Sequence, residues 1–215
     1  MQPQTVRLVL VRHGEVDANR SYQYLGRRDD ELNENGLGQA DSLAVALTDV
    51  RVDAVLSSPL QRARETARRL AETAGLVVST DDRLIELDFG SWEGRSRFEV
   101  IKTSPNDLAE VEGWEADPSR STPGGESLLE LQGRVVDLAD ELARERAGTT
   151  VVVVSHMGPI KALLCSALGV PLTSSGRIFL DPATISAIDW GPHPVVRLVN
   201  SHVHLGFGNA RWLRR

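Results

Sequence analysis

Apolar residues in this chain gather in short unbroken runs, separated by longer stretches with helical spacing. The purest run, residues 149–155, reads Thr-Thr-Val-Val-Val-Val-Ser. A continuous β-branched run predicts a strand buried on both faces, as in a parallel sheet. Residues 6–11 and 52–57 predict two more strands of that kind. Residues 177–180, 184–189 and 195–200 predict three late strands, divided by Asp181-Pro182 and by Gly191-Pro192-His193-Pro194. Between the early strands the period changes. Leu37, Ala40, Leu43, Ala44 and Leu47 share one face of a predicted helix over 36–47. A second helix is predicted over 59–75, with Ser58 as its N-cap and Pro59 at the first helical position. Over 127–146, Leu128, Leu131, Val135, Leu138 and Leu142 recur at steps of three and four, and Ser127 with Glu130 forms a capping box. Residues 159–168 predict a shorter apolar helix.

Strands alternating with helices predict an α/β fold, three layers deep, around a mainly parallel central sheet. Residues 95–125 break the pattern. They carry Trp114, scattered Pro and Gly, and more acids than bases. We expect an insertion folded over one sheet edge as a lid, because a structureless loop of that length is unusual. At 215 residues, the chain is expected to form one domain, residues 1–215, carrying that lid.

Composition narrows the function. Hydrophobic residues make up 41% and charged residues 25% of the chain, as in an ordinary globular protein. The net charge is −6 and there is no basic block, which argues against nucleic-acid or anionic-membrane partners. Cys165 is the sole cysteine, so a disulfide framework is impossible and a cysteine-based zinc cluster is not expected. The first apolar run is too short for a signal-peptide core or a membrane span. A cytoplasmic location is therefore expected. Arginine outnumbers lysine by 22 to 2, the lysines being Lys102 and Lys161. Codon usage is the simplest account of that bias.

Two predicted strands each end in a histidine, in Arg12-His13-Gly14-Glu15 and in Ser155-His156-Met157-Gly158. Ligands of parallel α/β sheets bind at the carboxyl ends of the strands. If the two strands are neighbours, about 4.8 Å apart, both imidazoles can meet over one small ligand. The strand at 52–57 leads through Ser57-Ser58-Pro59-Leu60-Gln61-Arg62 into a helix N-terminus, where free N–H groups attract anions. The residues alone do not choose Arg62 over Arg64. Glu86, between Ile85 and Leu87, is either a partly desolvated carboxyl with a raised pKa or an edge-strand residue facing water.

Leu10-Val11-Arg12-His13-Gly14-Glu15 resembles the signature of the histidine phosphatase superfamily, the phosphoglycerate-mutase-like family. The resemblance extends over nearly the whole chain. It takes in Asn19, the segment 57–63 that selects Arg62, the segment 87–94 that follows Glu86, Pro123-Gly124-Gly125-Glu126-Ser127, and Ser155-His156. The resemblance implies a phosphomonoester hydrolase. His13 would attack phosphorus and form a phosphohistidine, and Arg12, Arg62 and His156 would clamp the equatorial oxygens. Glu86 would protonate the leaving alcohol and then activate water. In this scheme His13 is neutral and His156 can act as a charged donor, so the two rings need different environments. Substrate binding would involve Arg12, Asn19, Arg62, His156, Gly26 and Met157. No cofactor or metal is implied, because cationic side chains supply the charge.

The family often has glycine directly after the second histidine. Met157 stands there instead, which could narrow the pocket mouth. The segment 155–161 and the Gly-Gly-Glu-Ser block most resemble the α-ribazole phosphatase and broad acid phosphatase branch, acting on a small phosphorylated metabolite. Two alternatives remain. A cofactor-dependent mutase would want a basic lid, whereas residues 95–125 are acidic on balance, with Arg20, Arg27 and Arg28 as possible compensation. A non-catalytic phospho-ligand module would not need all of Arg12, His13, Arg62, Glu86 and His156.

Four other features are expected to be structural. His202 and His204 are taken as exposed residues on a late edge strand, Cys165 as core, Gly124-Gly125 as a tight turn, and Trp212 with Arg214 and Arg215 as an exposed tail. The last strands could pair two copies into a homodimer.

Overall fold

The computed structural model describes residues 5–102 and 107–211. The tail expected at Trp212, Arg214 and Arg215, and residues 103–106 of the expected lid, lie outside those residues. In chain order the elements are β1 (Val6–Arg12), α1 (Asp17–Arg20), α2 (Glu34–Ala46), β2 (Ala54–Ser57), α3 (Gln61–Ala74), β3 (Val78–Thr80), α4 (Arg97–Val100), α5 (Asp107–Ala116), α6 (Leu128–Glu145), β4 (Thr150–Ser155), α7 (Met157–Leu168), β5 (Ile185–Trp190) and β6 (Val195–Ser201).

The strands form one sheet in the order β3-β2-β4-β1-β5-β6. The first four of these are mutually parallel, and β5 and β6 add to the β1 edge in antiparallel fashion. The valine-rich run explains why β4 is central. Val151 and Val153 face a core built with α6 and α7, while Val152 and Val154 face a second core built with α2 and α3. Leu8 and Leu10 of β1 enter the first core, and Val9 and Val11 the second. A strand buried on both faces has no polar side to show, hence its unbroken apolar reading. The expected three-layer α/β/α architecture and its mainly parallel sheet are therefore present.

Several boundaries differ from expectation. Residues 177–180 are not a strand. A 3-10 turn runs over Leu172–Arg177, and backbone groups after it are taken by side chains: the Leu180 carbonyl accepts from Arg12 Nη1 at 2.6 Å, and Asp181 N–H donates to Asn200 Oδ1 at 2.9 Å. The short strand β3 escaped notice because two of its three residues are exposed and polar, Ser79 and Thr80. Helix α3 starts at Gln61 with Leu60 as its N-cap, so Ser58 does not cap it directly. The capping box at Ser127 and Glu130 is formed as expected. Cys165 is buried in the core, and Gly125 N–H closes a turn onto the Thr122 carbonyl before α6.

The expectation for His202 and His204 is overturned. Strand β6 ends at Ser201, and His202 turns inward to meet Asp181 at 2.9 Å, both side chains being buried. His204 Nε2 bonds the Ala183 carbonyl at 2.7 Å. Among the described residues no helix is long and apolar enough to cross a membrane.

Candidate active site

Strands β1 and β4 are parallel neighbours in register, with Arg12 opposite Ser155. The next residues on each, His13 and His156, therefore leave the sheet side by side. Their ring centroids are 5.0 Å apart at an interplanar angle of 58°. Both rings are buried. His13 Nδ1 lies 2.7 Å from the Gly14 carbonyl. A carbonyl only accepts, so the proton sits on Nδ1 and Nε2 carries the lone pair. Arg62 Nε reaches that Nε2 at 3.3 Å.

The second ring is held differently. Ser58 Oγ accepts from Leu60 N–H at 3.3 Å and lies 2.7 Å from His156 Nε2. A hydroxyl has one donor and two lone pairs, so Ser58 can hold Nε2 in either tautomer of the ring. His156 Nδ1 is buried and has no partner among the described residues. Burial, Arg62 and Arg12 hold the His13 pKa well below 6.5, although the Gly14 carbonyl opposes them. Burial, Arg62 and His13 do the same for His156. The expected contrast of a neutral His13 and a charged His156 is therefore absent from the free protein. The two rings share one charge state, because the same two arginines face both.

Arg62 is completely buried in the first turn of α3. Its Nη1 donates to the Arg28 carbonyl and its Nη2 to the Gly26 carbonyl at 2.8 Å. Gly26 has φ +58°, and a Cβ there would lie 1.9 Å from Glu93 Oε1. Glycine thus lets the loop bend tightly enough to orient Arg62. Arg12 donates to the Leu180 carbonyl through Nη1, while its buried Nε has no partner among the described residues. Burial lowers the Arg12 pKa to about 10, against the pull of Glu86 and Asp181.

Glu86 lies on the irregular segment after β3, not on an edge strand, and is buried. Its Oε1 accepts from Leu87 N–H at 2.8 Å and from Gly158 N–H at 3.1 Å. Burial raises its pKa above 4.5, although Leu87 N–H, Arg62 and Arg12 pull the other way. Arg134 ties down the segment by bonding the carbonyls of Arg83 and Glu86, and is itself paired with Glu126. A Cβ on Gly158 would lie 2.3 Å from Glu86 Oε1. The glycine this site requires after His156 is therefore Gly158, and Met157 occupies a position with room for a side chain. The close approach of a backbone N–H to a buried carboxyl is invisible in a one-dimensional reading, so Gly158 was missed. So was Ser58 as the partner of His156.

Arg12, His13, Asn19, Gly26, Arg62, Glu86 and Met157 line one cavity of about 510 Å³, which extends past Leu25, Phe89, Trp114, Leu128 and Leu172. Asn19 uses its Oδ1 to accept from Val16 N–H at 3.0 Å, which turns its amide nitrogen outward as an available donor. A more polar cavity of about 680 Å³, lined by Glu15, Arg20, Asp181 and His202, includes neither His13 nor Glu86. Among the described residues no group of three or more His, Cys, Asp or Glu is placed to hold a metal ion.

A family model for the histidine phosphatase superfamily, branch 1, matches residues 8–201. The chain belongs to the histidine phosphatase superfamily. Phosphoserine phosphatase 1 of Hydrogenobacter thermophilus is 37% identical over 203 residues, covering 94% of this chain and 95% of that protein. Adenosylcobalamin/alpha-ribazole phosphatase of Escherichia coli is 31% identical over 207 residues, covering 95% of this chain and 100% of that protein. The solved structure of a mycobacterial glucosyl-3-phosphoglycerate phosphatase complexed with VO3 superposes with a TM-score of 0.82 at 30% identity, covering 91% of this chain and 99% of that one. These relatives are named as phosphatases, which is consistent with a phosphoric monoester hydrolase in this histidine phosphatase.

Proposed function

We propose that this histidine phosphatase hydrolyses a small phosphomonoester through a phosphohistidine on His13. The observation that carries the reading is the meeting of four groups in one cavity. A histidine whose Nε2 carries its lone pair and a buried carboxyl whose pKa burial raises share it with two buried arginines. Nε2 of His13 attacks phosphorus as the P–O bond to the alcohol breaks. Glu86 gives its proton to the departing oxygen. Water then attacks the P–N bond, returning a proton to Glu86 and the electron pair to His13. Arg12, Arg62 and His156 hold the equatorial oxygens, with Asn19 as a further donor. The guanidinium fork matches two oxygens at once.

Residues 95–125 act as the lid in this reading. They place Trp114 against Tyr24, Phe89 and Trp92 at the cavity wall. The lone buried thiol of Cys165 suits a reducing cytoplasm. A homodimer would form through the exposed edge strand β6.

The phosphatase reading is favoured over a mutase because the extra basic residues are already occupied. Arg20 pairs with Glu15, Arg27 with Asp88 and Glu126, and Arg28 with Asp30. Little free positive charge remains for a second phosphate. A non-catalytic module would not need a buried Glu86 in one cavity with His13.

Candidate substrates are α-ribazole phosphate and sugar phosphates, together with phosphoserine and glucosyl-3-phosphoglycerate. A phosphate-release screen over these, with His13→Ala beside the wild type, tests the proposal. One compound standing out by about 10²-fold in kcat/KM, roughly 2.7 kcal/mol of transition-state discrimination, marks a specific substrate. Release that persists in His13→Ala would sink the covalent route.

A further inference from the structure

Lys161 is one of two lysines in a chain with 22 arginines. The other, Lys102, stacks over the Phe98 ring at 3.7 Å. Lys161 lies on α7, about one turn after Gly158, half-buried in the wall of the cavity that holds His13 and Glu86. Among the described residues its ammonium has no hydrogen bond and no ion pair. Burial and Arg12 push its pKa down, and Glu86 pushes it up. A partly desolvated cation without a partner is costly unless a bound ligand neutralises it.

The transferred phosphoryl group does not account for this cation, since the proposed clamp of Arg12, Arg62 and His156 already serves it. The rest of the chamber is largely apolar, with Leu25, Leu87, Phe89, Leu128 and Leu172. Trp114 also lines it, and its indole N–H has no partner among the described residues. Glu115 also lines it but is paired with Arg97, so the Lys161 ammonium fits a single carboxylate. A second phosphate would call for a cluster of cations, and the nearby arginines are paired.

We propose that Lys161 is a specificity-determining residue that binds a carboxylate on the leaving alcohol. The substrate class is then the phosphate ester of a hydroxy acid or hydroxy amino acid, in preference to a neutral sugar phosphate. This inference rests on the phosphatase reading and deepens it.

Matched pairs that differ at the carboxylate test it: O-phosphoserine against O-phosphoethanolamine, and 3-phosphoglycerate against glycerol phosphate. The wild type prefers the carboxylated member in kcat/KM by about tenfold or more, the worth of one charge-assisted hydrogen bond. Lys161→Met reduces that preference to within about twofold of unity, mainly through KM, and Lys161→Arg retains most of it. If Lys161→Met fails to fold, Lys161→Gln supplies the same ratio. An absent preference in the wild type, a ratio unmoved by the substitution, or an equal loss on both members would overturn the proposal. Calorimetric binding of 3-phosphonopropionate against propylphosphonate reads the same ratio without turnover. A carboxylate preference in binding that Lys161→Met abolishes, in a protein that hydrolyses nothing, would keep this inference and remove the phosphatase reading. Turnover without the preference would do the reverse.

Discussion

Gly158→Ala isolates the proposed acid from the proposed nucleophile. The added Cβ would lie 2.3 Å from Glu86 Oε1, against about 3.4 Å for ordinary van der Waals contact. The carboxyl must therefore retreat by about 1 Å, and it loses good geometry with Gly158 N–H. Displacements of that size cost about 10²-fold in rate when they misplace a reacting group. General acid catalysis as a whole is worth about 10²–10⁴-fold, so the loss fits within what Glu86 can supply. The proton matters only when the departing oxygen is basic. An alkyl phosphate needs it, whereas a nitrophenyl phosphate leaves as a stable anion. Steady-state kcat on the two ester types, in wild type, Gly158→Ala and Glu86→Gln, reads the difference. Both variants are expected to lose about 10²-fold on the alkyl ester and far less on the aryl ester. Equal losses on both esters, or Gly158→Ala activity near that of wild type on the alkyl ester, would refute the role given to this contact.

Further predictions concern charge. His13 and His156 are held neutral in the folded state, with pKa values well below 6.5, whereas the unfolded chain protonates both near 6.5. Their contribution to stability is thus fully present above about pH 6.5. It falls as pH drops toward the folded values, by about 1.4 kcal/mol per pH unit for each histidine. Thermal unfolding between pH 7 and 5.5 should show this slope, and His156→Asn should remove about half of the histidine part; an unchanged slope would contradict the assignment. Treatment with EDTA should leave phosphate release unchanged, because Arg12 and Arg62 supply the positive charge, and a large loss would show a metal requirement. Vanadate should inhibit competitively with the phosphomonoester, and inhibition that excess substrate does not relieve would place its site elsewhere.

Much of the site could be read from the chain because its geometry follows from strand register. Once β1 and β4 are parallel neighbours, Arg12-His13 and Ser155-His156 must emerge together. Arg62 was different: its position in a first helical turn did not distinguish it from Arg64, and family resemblance was needed to choose it. The structure gives the physical reason, since Arg62 is fully buried and held by two loop carbonyls, while Arg64 is exposed. The misjudged features share a cause. His202 looked like an exposed strand residue, but its partner Asp181 lies 21 positions earlier, on the stretch that bonds Arg12 through Leu180. Gly158 and Ser58 likewise act through contacts with distant segments, at Glu86 and at His156. Strand periodicity records burial, and long-range polar pairing leaves no periodic trace. The charge state of His156 was misjudged for the same reason, because it depends on burial and on Arg62 and Arg12, brought in from α3 and β1.

The central claim is a covalent intermediate on His13. Rapid mixing with a good substrate followed by an alkaline quench, which preserves phosphohistidine, and peptide mass spectrometry tests it directly. The account predicts one phosphoryl group on the peptide carrying His13, forming and decaying at rates compatible with turnover and absent from His13→Ala. Turnover with an unmodified His13 peptide, or a phosphoryl group on His156 instead, would contradict it.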